Sequence, residues 1–287
     1  MAILDHVTDR TDPAIDVATL AAALAGPHPP TLLDVRWSLA GLSGAGEYAA
    51  GHLPGAVFLD LDVQLCGPPG RGGRHPLPDP YRLEAVLQVA GVRQDHPVVV
   101  YDGGEGAAAA RAWWTLRWAG IGAVRVLDGG YAAWTGAGQP VTTVRLPPAP
   151  GDVSLHPGGL PVLDADTAAG MARDAVLLDV RTAERYRGER EPIDPVAGHI
   201  PGAVNLPAGD LLADGGLREP DALRERFAAA GVGDGVPVGA YCGSGVTAAQ
   251  AVLALHRAGR TDAALYVGSW SHWITDPGRP VATGDAP

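Results

Sequence analysis

The residues best suited to chemistry surround one cysteine, in the segment Val238-Gly239-Ala240-Tyr241-Cys242-Gly243-Ser244-Gly245-Val246-Thr247-Ala248. An apolar run ends at Cys242, two glycines flank a serine, and a helix-forming stretch follows. Glycines let a backbone turn tightly and aim several N–H groups inward, and a helix N-terminus adds partial positive charge. We therefore predict a strand–loop–helix unit that stabilises a Cys242 thiolate and any sulfur anion bonded to it. The alternative is a buried structural cysteine, although a Gly-Ser-Gly loop suits a packed core poorly.

Composition excludes several other kinds of chemistry. The formal net charge of the 287 residues is −11, which argues against nucleic acid and against an anionic membrane surface as partners. All 21 basic residues are arginines, and a chain without lysine has neither Schiff-base chemistry nor a P-loop. Cys66 and Cys242 are too few for a disulfide framework or a zinc site. We therefore expect no metal and no organic cofactor.

The location of the protein is inferred from what the sequence lacks. The first ten residues have neither a basic start nor an apolar core, so we expect no signal peptide. No apolar run approaches the length of about 18 residues that a membrane-spanning helix needs. We expect a cytoplasmic protein without a membrane partner.

The elements that must position the cysteine occur twice along the chain. Leu-Asp-Val-Arg stands at 33–36 and 178–181, and Gly-His-x-Pro-Gly-Ala at 51–56 and 198–203. Residues 100–103 align with 240–243, and residues 128–134 with 267–273. Four collinear matches at nearly one offset indicate a duplicated domain rather than a solenoid, whose repeats are shorter.

Each half alternates strands with helices, which favours an α/β fold of two domains, each a mainly parallel sheet flanked by helices. Strands are expected at 98–101, 124–127, 238–241 and 263–267, and helices at 107–119 and 246–258. Gly120 and Gly259 end the two helices. A Pro-rich stretch separates the halves. We predict an N-terminal domain over 1–142, a linker over 143–160 and a C-terminal catalytic domain over 161–287.

The duplication also separates architectural residues from reactive ones. Residues that recur in both halves are expected to shape turns and loops, namely His52, His199, Asp34 and Asp179. Cys242 does not recur, because it aligns with Asp102. The first half therefore has no nucleophile in this loop, and we predict that it is a non-catalytic copy.

Taken together, the motifs resemble those of tandem-domain rhodanese-type sulfurtransferases over nearly the whole chain. The resemblance rests on the paired motifs, on the loop 242–248 and on Gly268-Ser269-Trp270. Thiosulfate sulfurtransferases of this family typically carry Arg and Lys after the cysteine, whereas the loop here is similar to that of 3-mercaptopyruvate sulfurtransferases. The resemblance implies two rhodanese domains, the second catalytic, and a persulfide on Cys242. It further implies transfer of sulfane sulfur from 3-mercaptopyruvate to a thiol such as thioredoxin, or to cyanide.

The resemblance also assigns substrate-binding residues. It places the donor against the loop residues Gly243, Ser244, Gly245, Val246 and Thr247. Arg185 matches the substrate-binding arginine of the family, and an arginine fork suits a carboxylate; the alternative is a solvated charge on a helix face. Related 3-mercaptopyruvate enzymes place a second arginine shortly before Gly-His-Ile-Pro. This chain is shorter there, and Arg190 is an approximate match.

A proton relay is implied in the same way. The 3-mercaptopyruvate members of the family have an Asp–His–Ser relay, whose matching positions are Asp62, His75 and Ser244. An imidazole oriented by a carboxylate can move a proton through the serine hydroxyl while sulfur is transferred. Without the resemblance, His75 would be read as a loop residue. Cys66 lies in the same region, either as an idle thiol or as a partner of Cys242 in a regulatory disulfide.

Three alternative functions share features with this sequence. A thiosulfate donor keeps the same chemistry with a different substrate. A cysteine phosphatase or arsenate reductase needs an arginine that closes the loop, and the closing positions here are Ala248, Ala249 and Gln250. A non-enzymatic interaction module would make the cysteine incidental, as the first half shows that this scaffold persists without it.

Overall fold

The computed structural model describes residues 12–38 and 43–287 of the chain. The first ten residues, in which no signal peptide is expected, lie outside the described residues. In the part of the chain that the structure describes, no helix has the length and apolar composition needed to cross a membrane. The same ranges contain no group of three or more His, Cys, Asp or Glu side chains arranged to hold a metal.

The first half forms a parallel sheet with the strand order β1-β5-β4-β2-β3. Its strands are short apolar runs, as is usual where helices cover both faces of a sheet. They are β1 (Ala14–Ile15), β2 (Thr31–Asp34), β3 (Val57–Phe58), β4 (Val98–Tyr101) and β5 (Val124–Leu127). The helices of this half are α1 (Val17–Leu24), α2 (Gly44–Ala50), α3 (Leu61–Gln64), α4 (Pro80–Val89), α5 (Ala107–Trp118) and α6 (Gly130–Gly136).

The second half repeats this topology as a parallel sheet with the order β6-β12-β11-β7-β8. Its strands are β6 (Val162–Leu163), β7 (Val176–Asp179), β8 (Val204–Asn205), β11 (Val238–Tyr241) and β12 (Ala264–Tyr266). An antiparallel hairpin, β9 (Leu212–Ala213) and β10 (Gly216–Leu217), follows a short 3-10 helix at Ala208–Leu211. The helices are α7 (Ala165–Asp174), α8 (Ala183–Tyr186), α9 (Pro220–Ala229), α10 (Val246–Arg257) and α11 (Ser269–Trp273).

The matching strand orders confirm the duplicated α/β fold. Strands β4, β5 and β11 have the predicted bounds, and β12 is one residue shorter at each end than the predicted 263–267. Helices α5 and α10 end one residue earlier than predicted, and each is followed by a glycine with positive φ, Gly120 at +97° and Gly259 at +96°. Glycine ends a helix in this way because it adopts the left-handed region without steric cost.

The two halves share one hydrophobic core. Helix α5 of the first half packs along α10 of the second, and both helices are almost entirely buried. The core cluster runs without a break from strands of the first sheet to strands of the second, with Val100 and Ala240 among its members. The pair α5–α10 therefore fixes the two sheets relative to each other.

The segment predicted as a linker is partly anchored. The backbone N–H groups of Gly151 and His156 donate to carbonyls at the ends of α4 and α5, and Val153 and Leu155 are buried. This stretch therefore packs against the first half. The boundaries at 142 and 161, and the non-catalytic character of the first half, stay predictions.

The recurring residues have the architectural contacts that the duplication predicts. His52 stacks on Tyr48 with ring centroids 3.8 Å apart, and His199 stacks on Tyr186 at 3.7 Å. The Nδ1 atom of each histidine donates to the carbonyl of the tyrosine beneath it. Buried ion pairs join Asp34 to Arg36 at 2.7 Å and Asp179 to Arg181 at 2.6 Å. These groups hold the loops that follow β2 and β7.

Candidate active site

Cys242 lies between the end of β11 and the start of α10. The residue is 3% exposed, so the thiol is buried. The backbone N–H of Gly245 donates to Cys242 Sγ at 3.2 Å. Gly245 is the N-cap of α10 and has φ of +80°, a left-handed conformation that glycine adopts readily. In this conformation its N–H points at the sulfur. The sulfur therefore receives a backbone hydrogen bond at the N-terminal end of a helix.

The corresponding loop of the first half holds a carboxylate side chain at the position of the cysteine. Asp102 aligns with Cys242, and Gly106 has the same φ of +80° as Gly245. The Asp102 carboxylate accepts hydrogen bonds at 2.9, 3.0 and 3.1 Å from the backbone N–H groups of Gly104, Gly106 and Ala109. Inward-facing amides of this kind form an anion-binding concavity. The loop geometry thus suits a negative charge at the position of the sulfur.

A serine fixes the backbone of the cysteine. Ser269 has φ of +53°, unusual for a residue other than glycine. Its hydroxyl donates to Tyr266 O at 2.8 Å and accepts from Cys242 N at 3.1 Å. In the first half Gly130 stands at the equivalent position with φ of +54°. The strained serine therefore anchors the reactive loop, a role that glycine could not fill.

Two guanidinium groups lie over the residue that follows the thiol. A Cβ atom built on Gly243 would lie 2.9 Å from Arg74 Nη2 and 3.4 Å from Arg185 Nη2. Arg185 comes from α8 of the second half, whereas Arg74 comes from the loop of the first half that precedes His75. A Cβ at 243 would require Arg74 Nη2 to shift, whereas its distance to Arg185 Nη2 is an ordinary contact.

Two carboxylates orient these arginines. Glu191 accepts from Arg185 Nε at 3.0 Å and from Arg185 Nη2 at 2.7 Å. Burial works against ionisation of Glu191, but the hydrogen bonds from Arg185 and from nearby backbone amides outweigh it and lower the pKa of Glu191. Asp194 accepts from Arg185 Nη2 at 3.3 Å and also from Arg74 Nη1. Both carboxylate side chains are 3% exposed, so the arginines have fixed partners behind them.

The other predicted substrate-binding residues are placed as follows. Ser244 and Val246 are buried beside Cys242, and Thr247 is half-buried in the first turn of α10. Arg190 is exposed, and its backbone N–H donates to Glu184 O at 3.2 Å. Among the described residues its side chain makes no ion pair. The structure thus brings Arg185 to the loop, whereas Arg190 stays outside the cluster of Arg74, Arg185, Glu191 and Asp194.

The structure pairs two members of the predicted relay. His75 Nε2 lies 2.9 Å from Asp62 Oδ1, and Trp37 Nε1 donates to Asp62 Oδ2 at 3.0 Å. Burial lowers the pKa of His75; Asp62 acts in the opposite direction, and Arg111 and Arg74 act with burial. The imidazole is therefore neutral near pH 7 and donates through Nε2, which leaves Nδ1 as an acceptor. His75 Nδ1 is buried with no hydrogen-bond partner, and no hydrogen bond joins it to Ser244 within the described residues.

Arg111 connects the relay to the thiol loop. It lies on α5 with its side chain fully buried. Its Nη2 donates to His75 O at 2.8 Å and its Nη1 to Gly245 O at 3.2 Å. Across residues 12–38 and 43–287 no carboxylate forms an ion pair with it. A buried cation from the first half thus holds both the histidine loop and the glycine whose N–H meets the sulfur.

Cys66 is a second free thiol near this connection. Arg111 Nη2 lies 3.8 Å from Cys66 Sγ. Burial raises the pKa of Cys66, and the nearby Arg111 charge opposes this only in part. The thiol is 5% exposed. A regulatory disulfide between Cys66 and Cys242 stays a prediction.

Comparisons with known proteins identify the family. The model of the rhodanese-like domain matches residues 16–137 and again residues 164–276. A Pseudomonas aeruginosa protein, provisionally named a 3-mercaptopyruvate sulfurtransferase, is 49% identical over 276 residues, covering 93% of this chain and 96% of that protein. SseB of Mycobacterium tuberculosis, provisionally named a thiosulfate sulfurtransferase, is 47% identical over 279 residues, covering 95% and 97%.

A solved structure agrees with these relatives. The crystal structure of SseA from Escherichia coli, described as a 3-mercaptopyruvate sulfotransferase, superposes with a TM-score of 0.80 at 32% identity. The match covers 91% of this chain and all of SseA. The chain therefore belongs to the rhodanese family. The resemblance seen in its sequence motifs is confirmed, as is the fold of two rhodanese domains.

Sequence reasoning did not assign several residues of this site, among them Arg74, Arg111, Glu191, Asp194 and Ser269. The duplication offered a signal for Ser269, because it aligns with a glycine in the first half, and a residue that replaces glycine at a turn needs a reason. Arg74 directly precedes the predicted His75, and this adjacency is a sequence signal that it lies near the site. No sequence signal indicated that Arg111 contacts Gly245 of the second half, because this contact depends on how the two halves pack.

Proposed function

We propose that this chain is a sulfurtransferase that takes sulfane sulfur from 3-mercaptopyruvate and carries it as a persulfide on Cys242. The observation that supports this most directly is the placement of the Cys242 sulfur. The sulfur accepts a hydrogen bond from the N–H of Gly245, in a loop whose counterpart holds the Asp102 carboxylate, and the next residue, Gly243, lies beside Arg185. Such a loop suits both the attacking thiolate and the persulfide anion that replaces it.

The transfer proceeds by nucleophilic displacement at sulfur. The Cys242 thiolate attacks the sulfur of 3-mercaptopyruvate, an S–S bond forms, and the donor's C–S bond breaks with its electron pair going to carbon. The proton of the donor thiol leaves as this happens, and the departing carbon gains a proton to give pyruvate. The Asp62–His75 pair, acting through Ser244, serves this proton movement. In the second half-reaction an acceptor thiolate or cyanide attacks the outer sulfur and restores the Cys242 thiolate.

The acceptor and the location follow from the same proposal. A small thiol, a protein thiol such as thioredoxin, or cyanide can reach a persulfide at the loop, and no cofactor enters the scheme. The donor and acceptor are small molecules or exposed thiols, and the enzyme acts in the cytoplasm, where free thiols persist.

A second donor is favoured by one finding. SseB of Mycobacterium tuberculosis, at 47% identity, is provisionally named a thiosulfate sulfurtransferase. Against it stands the chemistry of the loop, in which Gly243 and Ser244 follow the cysteine where two cations would attract a dianion more strongly.

Comparing kcat/KM for the two donors with one acceptor tests the proposal. We expect 3-mercaptopyruvate to be preferred, and Cys242→Ser to show no turnover with either donor. A strong preference for thiosulfate would show that thiosulfate is the donor. Full activity in Cys242→Ser would contradict the persulfide mechanism. A lack of activity of the unaltered protein with either donor would favour an interaction module.

A further inference from the structure

The guanidinium groups over Gly243 come from different halves of the chain. Arg185 belongs to the catalytic half, whereas Arg74 belongs to the first half, in a loop that is fixed against the second. The backbone N–H of Arg74 donates to Ser271 Oγ at 3.1 Å. The Arg74 side chain is 27% exposed, so it lines the site at the boundary with solvent. Part of the site beside Arg185 is therefore supplied by the first half.

Asp194 already shows how a carboxylate fits these two arginines. Its Oδ1 accepts from Arg74 Nη1, and its Oδ2 accepts from Arg185 Nη2. One buried carboxylate thus spans both guanidinium groups. This arrangement fixes their spacing at a distance that a single carboxylate bridges.

Some N–H groups of the two arginines have no acceptor. In the described part of the chain no acceptor is bound to Arg185 Nη1, nor to Arg74 Nη2 or Nε, and the Arg74 Nε atom is buried. A Cβ built on Gly243 would lie 2.9 Å from Arg74 Nη2 and 3.6 Å from Arg185 Nη1, while Arg185 Nη2, which donates to Glu191 and Asp194, would lie at 3.4 Å. Buried donors without partners are costly. The two arginines therefore present unfilled donors beside the thiol loop.

We propose that Arg74 and Arg185 together bind the carboxylate of the sulfur donor, one guanidinium from each half of the chain. This inference rests on the proposed function, because it assigns the carboxylate of the donor named there. Arg74 takes the role that the sequence motif assigned to Arg190. Arg190 is exposed outside the cluster, whereas Arg74 shares Asp194 with Arg185.

The charge balance of the cluster bears on donor choice. Three arginines and three carboxylates interact here: Arg74, Arg181, Arg185, Asp179, Glu191 and Asp194. The formal charges of these six groups cancel, whereas Arg111, which forms no ion pair with a carboxylate of the described residues, adds a buried positive charge at Gly245 O. The six-residue cluster therefore offers directed N–H groups rather than net charge, and these suit the planar, two-oxygen geometry of a carboxylate. On this proposal Arg74 favours a donor that carries a carboxylate.

Binding of pyruvate tests this independently of turnover, because pyruvate has the carboxylate and lacks the sulfur. Calorimetric titration of the full chain with pyruvate is expected to give a Kd raised about tenfold to a hundredfold in Arg74→Met. Arg71→Met, an exposed arginine of the same loop, is the matched control and keeps the Kd of the unaltered protein. Arg74→Lys recovers binding only in part, because an ammonium is a point charge.

Kinetics separate a binding role from a structural one. With 3-mercaptopyruvate, Arg74→Met is expected to raise KM by a similar factor with a smaller effect on kcat. Loading of Cys242 from inorganic polysulfide, a donor without a carboxylate, stays within about twofold of the unaltered protein, as expected when a single carboxylate contact is lost. Loss of polysulfide loading in Arg74→Met would show a structural role and overturn the inference.

The remaining outcomes distinguish the inference from the proposed function. An unchanged pyruvate Kd in Arg74→Met, or a Kd raised only in Arg190→Met, would overturn the inference while leaving the activity intact. A chain that binds pyruvate through Arg74 but does not turn over 3-mercaptopyruvate would uphold the inference and reject the proposed donor.

Discussion

The thiol of Cys242 occupies the position of a carboxylate in the first half. Gly245 N–H meets its sulfur at 3.2 Å, and Gly106 N–H meets the Asp102 carboxylate at 3.0 Å. Because the two loops offer the same kind of donor to different side chains, the difference between them is chemical rather than architectural. On the proposed function, the cysteine of the second half can attack a donor and be regenerated, whereas the aspartate of the first half accepts hydrogen bonds from its loop amides.

This equivalence predicts the behaviour of Cys242→Asp. The new carboxylate should accept hydrogen bonds from the loop amides as Asp102 does. The protein should therefore keep its fold, with a free energy of unfolding within about 1 kcal/mol of that of the unaltered chain. It should have no sulfurtransferase activity, since no sulfur nucleophile remains. Urea unfolding and a donor assay check both points. A large loss of stability would contradict the equivalence of the two loops.

The pH dependence of persulfide formation reports on His75. Burial lowers the pKa of His75, and Asp62 partly opposes this. Since a base must be unprotonated, we expect the acidic limb of the rate profile to lie below pH 6.5, about the value for a free histidine. Asp62→Asn removes a charge that favours the protonated ring, so the limb should move to still lower pH, while the rate near pH 7 falls because the ring loses its orienting partner. A limb that moves upward would exclude His75 as the base.

At the scale of elements, α5 and α10 form a pseudo-symmetric pair. Arg111 on α5 reaches Gly245 O of the catalytic loop, and Gln250, at the equivalent position on α10, donates to Glu105 O of the inactive loop at 2.7 Å. Each helix therefore supports the loop of the other half. Of these two equivalent positions, the one on the first half carries the cation, which contacts the thiol loop.

The pair provides matched variants. Arg111→Met deprives the carbonyls of His75 and Gly245 of their donor, which costs about 1–3 kcal/mol for each buried group, and it should slow persulfide formation about tenfold. Gln250→Met affects only the exposed Glu105 segment, where water replaces the lost donor, and should leave the rate within about twofold. Stopped-flow loading of Cys242 checks both. Equal effects of the two substitutions would show that Arg111 has no special role.

The sequence predicted elements better than it predicted contacts between them. Apolar runs and helix-ending glycines located β4, β5, β11, α5 and α10, because those signals are local. The pairing of His75 with Asp62 followed from a family motif. Arg74 and Arg111 could not be assigned, because their partners lie on the other half and depend on how α5 packs on α10. Arg190 is an approximate match to the second arginine of the family, and motif spacing alone does not show which arginine lies beside Gly243.

At the scale of the whole molecule, the first half contributes residues to the candidate site. His75 lies 2.9 Å from Asp62, Arg74 lies over Gly243, and Arg111 donates to Gly245 O. On the proposed function, these groups give the first half a role although its own loop has no nucleophile.

The shared core predicts joint unfolding. Because one hydrophobic cluster extends through both sheets and α5 is buried against α10, neither half can unfold without exposing apolar surface of the other. Calorimetry should therefore show a single cooperative transition, with equal calorimetric and van't Hoff enthalpies. Two separate transitions would mean that the halves are independent domains that merely touch.

The account depends most on sulfur being held covalently by Cys242. The direct measurement is the intact mass of the protein after incubation with 3-mercaptopyruvate and removal of excess donor. We predict a gain of one sulfur atom that disappears on treatment with a reducing thiol and is absent in Cys242→Ser. An unchanged mass, or a gain that persists in Cys242→Ser, would contradict the account.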